Sequence, residues 1–432
     1  MKPIRTRYSH IPSPYWLMPA KSSEKSHFSY GRKRYFALFL FTSQSHSFKD
    51  ATEKRGMWDM IKSGYDELVS SVIRPMRAEY CISDLGHHQI IIEQTRANRM
   101  DLTLQNAANF ALECSWWRPL ARSQDTLCPS PCIVFLHGNS SCRLGALEIV
   151  TYAIPAGFSV FALDFAGSGM SQGKYVSLGY HEQQDIATAV QYIRSNQKDC
   201  KIILWGRSMG AVASLLYVEK DPSISVLVLD SPFSSLPQLA LELVQEGKLG
   251  VPKILVKFVM QMLRQDIKRR AKFDIFKLKP IDHIHRCSIP SFFLTGLQDE
   301  LVGSHHAKAL FRQHNGPKEL FTFRGGHNSP RPFVGYFEAL QFVRVMVGLL
   351  PLDSETTRGG QSPTRTKVFH NPLPPGTYIE SVNQMTVRDL KAAIQRAGYD
   401  DITCIEKKDM VDLVIQLYSR YQQYETIELS SF

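Results

Sequence analysis

Gly206-Arg207-Ser208-Met209-Gly210 is the stretch of sequence that decides the fold. It follows the apolar run Ile202-Ile203-Leu204-Trp205 and precedes a helical pattern that reaches Val218. A strand, a G-x-S-x-G turn and a helix in this order predict a nucleophile elbow. Because the turn is tight, a side chain at either glycine would collide with the neighbouring backbone. The pattern therefore predicts that Ser208 is presented to substrate at the carboxyl end of a sheet.

A serine nucleophile needs a base that takes its proton and an acid that orients the base. Ser291-Phe292-Phe293-Leu294-Thr295 reads as a buried strand, and Asp299 lies in the loop after it. Glu319-Leu320-Phe321-Thr322-Phe323 reads as a further strand, and His327 lies in the loop that follows. The order Ser, acid, His is the one this architecture uses. We predict a catalytic triad of Ser208, Asp299 and His327. The structural alternatives are that Asp299 caps its loop and that His327 is an ordinary surface histidine.

The loop after another buried strand offers hydrogen-bond donors for an oxyanion. Cys132-Ile133-Val134-Phe135-Leu136 precedes the turn His137-Gly138-Asn139-Ser140-Ser141. Backbone N–H groups aimed at a developing negative charge stabilise it. We predict that one donor is the N–H of Met209, the residue after the nucleophile, and that the other belongs to Asn139, with Ser140 as the alternative.

Two further features near these loops are interpreted as structural. His137 stands directly before the glycine of the turn, a position that favours a hydrogen-bonded role over that of a base. The segment Asp164-Phe165-Ala166-Gly167-Ser168-Gly169 invites a dinucleotide-binding interpretation, but its spacing is not G-x-G-x-x-G. A glycine-dependent turn that shapes the pocket is the better interpretation.

The remaining pattern predicts an α/β fold, because buried strands alternate with helices. The predicted strands lie at about 88–93, 110–117, 132–136, 159–163, 201–205, 226–230, 291–295 and 319–323, and the helices at about 144–155, 178–195, 209–221, 304–314 and 335–349. A helical pattern also begins at Met57. This alternation is typical of a doubly wound, mostly parallel sheet, here with eight strands, which binds ligands outside the carboxyl ends of its strands.

These motifs resemble the α/β-hydrolase superfamily over roughly residues 75–350. The resemblance rests on His137-Gly138-Asn139, the segment from Asp164 to Ser171, the G-x-S-x-G turn, Asp299 and Gly326-His327. The most similar group is the compact branch of S33 serine aminopeptidase-like hydrolases, which includes protein depalmitoylases. The resemblance implies a Ser208–Asp299–His327 triad that acts on an ester, thioester or amide and needs no metal or organic cofactor. Since some hydrolases place the acid one strand earlier, Asp230 is the reserve acid.

A serine hydrolase that cleaves an acyl ester or thioester, of a lipid or a lipidated protein, is the favoured function. An S33-type serine aminopeptidase is the alternative, although the sequence identifies no acidic group to bind a substrate amine. The rival from another class is a non-catalytic interaction protein on a hydrolase fold, against which the complete triad argues.

The segment 236–285 is the natural place for a cap over the site. The pattern there predicts an amphipathic helix. Its apolar side includes Phe258, Val259 and Leu263, and its basic residues include Lys257 and Arg264. Such a helix contacts a membrane surface or an acyl chain, or it simply packs on the core with a solvated basic face. Nucleic-acid binding is not expected, because no aromatic interleaving or binding motif supports it.

Composition indicates an intracellular, cytoplasmic chain, with membrane association as the alternative. The 432 residues include eight cysteines without CxxC pairs or zinc spacing, which predicts reduced thiols and no metal site. Residues 1–56 hold eleven Lys/Arg against three Asp/Glu. We interpret this arm as a disordered basic extension or as the product of a mis-assigned start, with Met57 the true one. A targeting presequence or a membrane-surface anchor is the less favoured alternative.

The end of the chain predicts a separate small module. Residues 351–380 read as a polar linker after the hydrolase domain, 57–350. In residues 381–420 a helix capped by Thr386 is followed by a loop and a second amphipathic helix. Glu406-Lys407-Lys408-Asp409-Met410-Val411 resembles a SAP-like helix–loop–helix. We expect it to bind a protein partner or to dock on the hydrolase body.

Overall fold

A computed structural model describes residues 51–121, 127, 129–246, 253–349 and 379–396, together with positions 407, 410, 411, 414 and 415. The greater part of the predicted basic arm, nearly all of the linker and most of the second helix of the SAP-like module lie outside the described residues. The helix that the sequence predicts from Met57 begins earlier, at Ala51.

The described chain alternates strands and helices, as the sequence predicts. The strands are β1 Gln89–Ile92, β2 Thr95–Gln105, β3 Ala111–Pro119, β4 Cys132–Leu136, β5 Ser159–Leu163, β6 Ile202–Arg207, β7 Val226–Asp230, β8 Ser291–Gly296 and β9 Lys318–Phe323. The α-helices are α1 Ala51–Ile73, α2 Ala146–Ala153, α3 Glu182–Asn196, α4 Met209–Val218, α5 Leu236–Glu246, α6 Lys253–Ala271, α7 Ser304–Gln313, α8 Phe333–Met346 and α9 Val387–Arg396. Short 3-10 helices lie at Ile82–Leu85, Arg143–Gly145, Ile275–Lys277, Pro280–Asp282, Ile284–Arg286 and Ile379–Gln384.

The strands form one mostly parallel sheet in the order β1-β2-β3-β5-β4-β6-β7-β8-β9. The pairings β1–β2, β2–β3 and β3–β5 are antiparallel, and the others are parallel. The prediction of eight strands is wrong, because the sheet has nine in the described residues. The missed strand, β2, carries polar residues on much of its length and is only partly buried, so it lacks the apolar run that marks the central strands.

Both faces of the sheet are covered, which explains why its central strands are apolar throughout. Within β4, Ile133 and Phe135 belong to a buried cluster with α2 and α8, whereas Val134 and Leu136 belong to the cluster with α3, α4 and α7. Successive residues of a strand point to opposite faces, so one short run contributes to two cores. The predicted doubly wound architecture is confirmed.

The cap region consists of α5 and α6, and α6 packs on α1. Val259, Leu263 and Ile267 of α6 share a buried cluster with Val69 and Ile73 of α1. Two of the basic side chains of α6 form ion pairs within the fold. Arg264 Nη2 lies 2.6 Å from Asp274 Oδ2, and Arg270 Nη2 lies 2.6 Å from Asp66 Oδ1.

The sequence predicts Phe258 on the apolar side of this helix, together with Val259 and Leu263. In the structure Phe258 is 61% exposed and lies on the outer side of α6, away from the buried cluster. Lys257 and Lys268 are also exposed. Contact between this side and a membrane surface stays a prediction. Among the described helices, none combines the length and the apolarity that crossing a bilayer requires.

The start of the C-terminal module has the predicted helix and cap. Thr386 Oγ1 accepts a hydrogen bond from the Asp389 N–H at 3.2 Å, and α9 begins one residue later, at Val387. Leu390 and Ile394 are buried in the cluster that also contains residues of α2 and α8. The described part of the module therefore belongs to the same continuous core as the central sheet.

Replacing Ile267 by Ala tests the packing of α6 on α1. Ile267 is fully buried, so the lost transfer energy and the cavity should lower the free energy of unfolding by about 2–5 kcal/mol, measured by urea denaturation. Phe258→Ala on the outer side of the same helix is the matched control and should change stability by about 0.5 kcal/mol or less. Equal effects of the two changes would contradict this orientation of α6.

Candidate active site

The elbow between β6 and α4 has the tight geometry that its two glycines predict. A Cβ added to Gly206 would lie 2.5 Å from Gly210 O, and one added to Gly210 would overlap Leu136 O. Ser208 itself has φ 52° and ψ −111°, a conformation that is costly for a residue with a side chain. Its N–H donates to Asp230 O at 2.7 Å, which fixes the turn to the end of β7.

The structure brings together the three residues predicted to form the triad. Ser208 Oγ lies 3.1 Å from His327 Nε2, and His327 Nδ1 lies 2.8 Å from Asp299 Oδ2. The Asp299 side chain is fully buried, and His327 is largely buried. Since the carboxylate can only accept a hydrogen bond, Nδ1 carries the proton of the neutral ring and Nε2 is free to accept from the serine hydroxyl.

The loops after β8 and β9 hold this arrangement because they pass each other closely. A Cβ on Gly296 would overlap Gly325 O, so glycine is required where the two loops meet. Asp299 Oδ1 accepts the N–H groups of Leu301 at 3.0 Å and Val302 at 2.7 Å. These bonds leave Oδ2 directed at His327. The Asp299 carboxylate is thus oriented by its own loop.

Asp230, the reserve acid, contacts an arginine instead of the histidine ring. Arg331 Nε and Nη2 donate to its two carboxylate oxygens at 2.8 and 2.9 Å. Burial alone would raise the pKa of Asp230, but the charges and hydrogen bonds of Arg331 and, more weakly, Arg207 lower it below its usual value.

This ion pair also supports the backbone of His327. Arg331 Nη1 and Arg207 Nη2 each donate to His327 O at 3.1 Å. The backbone of the histidine is therefore held from the same cluster that contains Asp230. Sequence reasoning missed Arg331, since its contact with Asp230 spans 101 positions and no motif marks it.

The predicted oxyanion donors lie on two segments that the structure brings next to each other. Met209 is the first residue of α4, so its N–H has no acceptor within the helix. A Cβ on Gly138 would lie 3.6 Å from Ser208 Cβ, which places the turn after β4 against the elbow. In that turn Asn139 is exposed, and Ser140 has φ 60°. The geometry keeps both as candidates for the second donor.

His137 has the structural role that the sequence predicts. It is fully buried, and its Nε2 accepts the Phe165 N–H at 3.0 Å. Its Nδ1 therefore carries the proton and donates to Gly138 O at 2.7 Å. Burial lowers the pKa of His137, against the opposing effect of the Asp164 charge. The neutral ring ties the turn after β4 to the loop after β5.

The loop after β5 is a glycine-dependent turn, as predicted. A Cβ on Gly169, where φ is +47°, would overlap the Asp164 carboxylate. That carboxylate accepts the N–H groups of Arg143 at 2.7 Å and Met170 at 2.9 Å, and the Tyr80 hydroxyl at 2.6 Å. The glycines thus let the turn fold around Asp164, which organises this side of the site.

Asp230→Asn is expected to destabilise the fold, because it leaves the Arg331 charge buried without its partner. The free energy of unfolding at pH 7 should fall by about 3–5 kcal/mol in urea denaturation. The double variant Asp230→Asn/Arg331→Met removes both charges and should recover part of this loss. A double variant no more stable than Asp230→Asn would contradict the explanation.

The same pair predicts an acid dependence. Since the folded-state pKa of Asp230 lies below its unfolded value of about 4, the pair stabilises the fold above that pH and loses its effect as the pH falls through the folded-state pKa. As the pH is lowered below about 4, the free energy of unfolding of Asp230→Asn should therefore fall less than that of the wild type.

Comparisons with known proteins agree with the fold. The model of the serine aminopeptidase S33 family matches residues 128–274, a segment that includes Ser208 but ends before Asp299 and His327. The YqkD protein of Bacillus subtilis is 27% identical over 202 residues, which are 46% of this chain and 64% of that protein. Human alpha/beta hydrolase domain-containing protein 17B is 26% identical over 215 residues, 49% of this chain and 65% of its own length.

The chain thus spans slightly less than two thirds of the length of these two relatives. Among solved structures, the Pyrococcus furiosus esterase Pf2001 matches 62% of this chain and 97% of its own, with 19% identity and a TM-score of 0.46. The sheet topology and the strand–turn–helix around Ser208 are thus similar to those of α/β hydrolases, and the segment 128–274, which contains Ser208, matches the model of the serine aminopeptidase S33 family.

Proposed function

We propose that this chain is a serine hydrolase that cleaves an acyl ester or thioester. The observation that carries the proposal is the His327 ring, whose two nitrogens lie within hydrogen-bond distance of Ser208 Oγ and Asp299 Oδ2. A hydroxyl, an imidazole and a buried carboxylate in one line are the parts that nucleophilic acyl transfer needs.

The proposed reaction follows from these contacts. Ser208 Oγ attacks the acyl carbon while His327 Nε2 takes the hydroxyl proton, and Asp299 stabilises the imidazolium that forms. The N–H groups of Met209 and Asn139 receive the oxyanion. His327 returns the proton to the leaving alcohol or thiol, and a water molecule activated by the same ring then hydrolyses the acyl-enzyme.

An acyl substrate is supported by the apolar side chains around the acid loop. Leu297 and Leu301, which flank Asp299 in the sequence, are 51% and 39% exposed. Exposed apolar side chains beside a reactive centre favour a substrate that covers them with hydrocarbon. A lipid or a lipidated protein would provide such a chain.

Steady-state hydrolysis of p-nitrophenyl esters and acyl thioesters of graded chain length tests the proposal. Ser208→Ala and His327→Ala should each lower kcat by about 1,000-fold or more, since the two act as one unit. Asp299→Asn should lower it by a factor on the order of 10,000, because the ring would adopt the wrong tautomer.

The controls are Ser195→Ala and His285→Ala, both exposed and away from the site, which should retain wild-type rates. A folded wild type that hydrolyses neither ester nor thioester would contradict the proposal and favour a non-catalytic role. Activity that survives in Ser208→Ala would contradict the assignment of the nucleophile.

A serine aminopeptidase is the second candidate, because one exposed carboxylate lies beside the base. A Cβ on Gly326, the residue before His327, would lie 2.7 Å from Glu300 Oε2. A carboxylate at the rim of the site is the group that an aminopeptidase uses to bind the substrate ammonium. Sequence reasoning did not identify Glu300 for this role.

Aminoacyl p-nitroanilides compared with acyl p-nitrophenyl esters separate the two candidates. If the ester proposal is right, Glu300→Gln should leave kcat/KM for acyl esters within about twofold, since neutral substrates make no charged contact with Glu300. If the chain is an aminopeptidase, the wild type should cleave the anilides, and Glu300→Gln should lower that kcat/KM by about tenfold or more through loss of the charged hydrogen bond.

A further inference from the structure

Two adjacent histidines at the start of α7 face one carboxylate of the cap helix α5. His305 Nε2 lies 3.0 Å from Glu242 Oε1, and His306 Nε2 lies 2.8 Å from Glu242 Oε2. The ligand atoms of the three residues all lie within 4.8 Å of one another. Two imidazole nitrogens and a carboxylate oxygen are a donor set typical of Zn²⁺.

The buried histidine is already oriented by a second contact. His306 is fully buried, and its Nδ1 lies 2.7 Å from Ser234 Oγ, itself in the buried segment before α5. The Ser234 N–H also donates to Nδ1 at 3.3 Å, so the neutral ring carries its proton on Nε2 in this arrangement. With a metal on Nε2, the proton would move to Nδ1 and donate to the Ser234 hydroxyl. Metal-binding histidines commonly direct their other ring nitrogen to an oxygen in this way, which fixes the ring plane.

The exposed histidine depends on the backbone beneath it. A Cβ on Gly303 would lie 2.7 Å from His305 Nδ1 and Cε1, so glycine leaves the space in which this ring folds back towards Glu242. The His305 side chain is 57% exposed, whereas that of Glu242 is 27% exposed. The cluster is therefore open to solvent on one side, which gives an ion an entry path and leaves room for a water ligand.

We propose that Glu242, His305 and His306 form a Zn²⁺ site that joins the cap helix α5 to the segment after the acid loop. On binding the ion through Nε2, each neutral ring would carry its proton on Nδ1, so the ion would take the place of the two Nε2–H groups that face the carboxylate. Val302, whose N–H holds Asp299, lies three residues before His305. The ion thus stabilises the position of the cap relative to the loop that carries Asp299, and it takes no part in acyl transfer.

Metal titration of the untagged full-length chain, stripped with a chelator, tests the site. With Zn²⁺ alone as the probe, calorimetry should show binding of about one ion per chain, and the melting temperature should rise with Zn²⁺ concentration. His305→Ala and Glu242→Gln should each weaken binding by about tenfold or more. Both substitutions are at exposed or half-buried side chains, so the fold is expected to tolerate them.

His283→Ala is the matched control, because His283 Nδ1 also lies 3.0 Å from a carboxylate, that of Glu219, at a single histidine–glutamate pair. It should bind Zn²⁺ like the wild type. The site would be supported if His283→Ala binds Zn²⁺ like the wild type while His305→Ala and Glu242→Gln bind it more weakly. Absence of binding to the wild type, or equal binding by all four proteins, would overturn it.

Discussion

The site depends on the close approach of the start of α4 to the end of β4. Gly210 lies so near Leu136 O that any side chain at this position would overlap it. This contact lets α4 begin immediately after β6, and Ser208 is forced into a strained left-handed conformation between them. Strain of this kind costs about 1–3 kcal/mol and persists only where the surroundings fix the backbone. Here the fixed surroundings are the central strands of the sheet.

The same sheet positions the groups that would act with Ser208. Asp299 and His327 follow neighbouring parallel strands, so they emerge at the edge where Ser208 lies. Around them, the pair Asp230–Arg331 holds the backbone of His327. On the other side, neutral His137 links the turn after β4 to the loop after β5. Hydrogen bonds to buried neighbours thus fix the orientation of His327 and of the turn after β4.

Sequence reasoning identified the parts of the molecule that strong local patterns specify. The apolar runs predicted the central strands, and the loops after three of them contain Ser208, Asp299 and His327. It missed β2, because a strand with polar residues on much of its length has no distinctive period. It also missed Arg331 and the cluster of Glu242, His305 and His306, since those contacts join residues far apart in the chain and depend on how the helices pack.

A fluorophosphonate probe, followed by mass spectrometry of the digested protein, tests most directly whether the elbow presents an activated serine. The probe reacts covalently with a serine whose hydroxyl proton is taken by a base. The account predicts one adduct per chain, on the peptide that contains Ser208, and no adduct in His327→Ala. A folded wild type without an adduct, or with one on another serine, would contradict it.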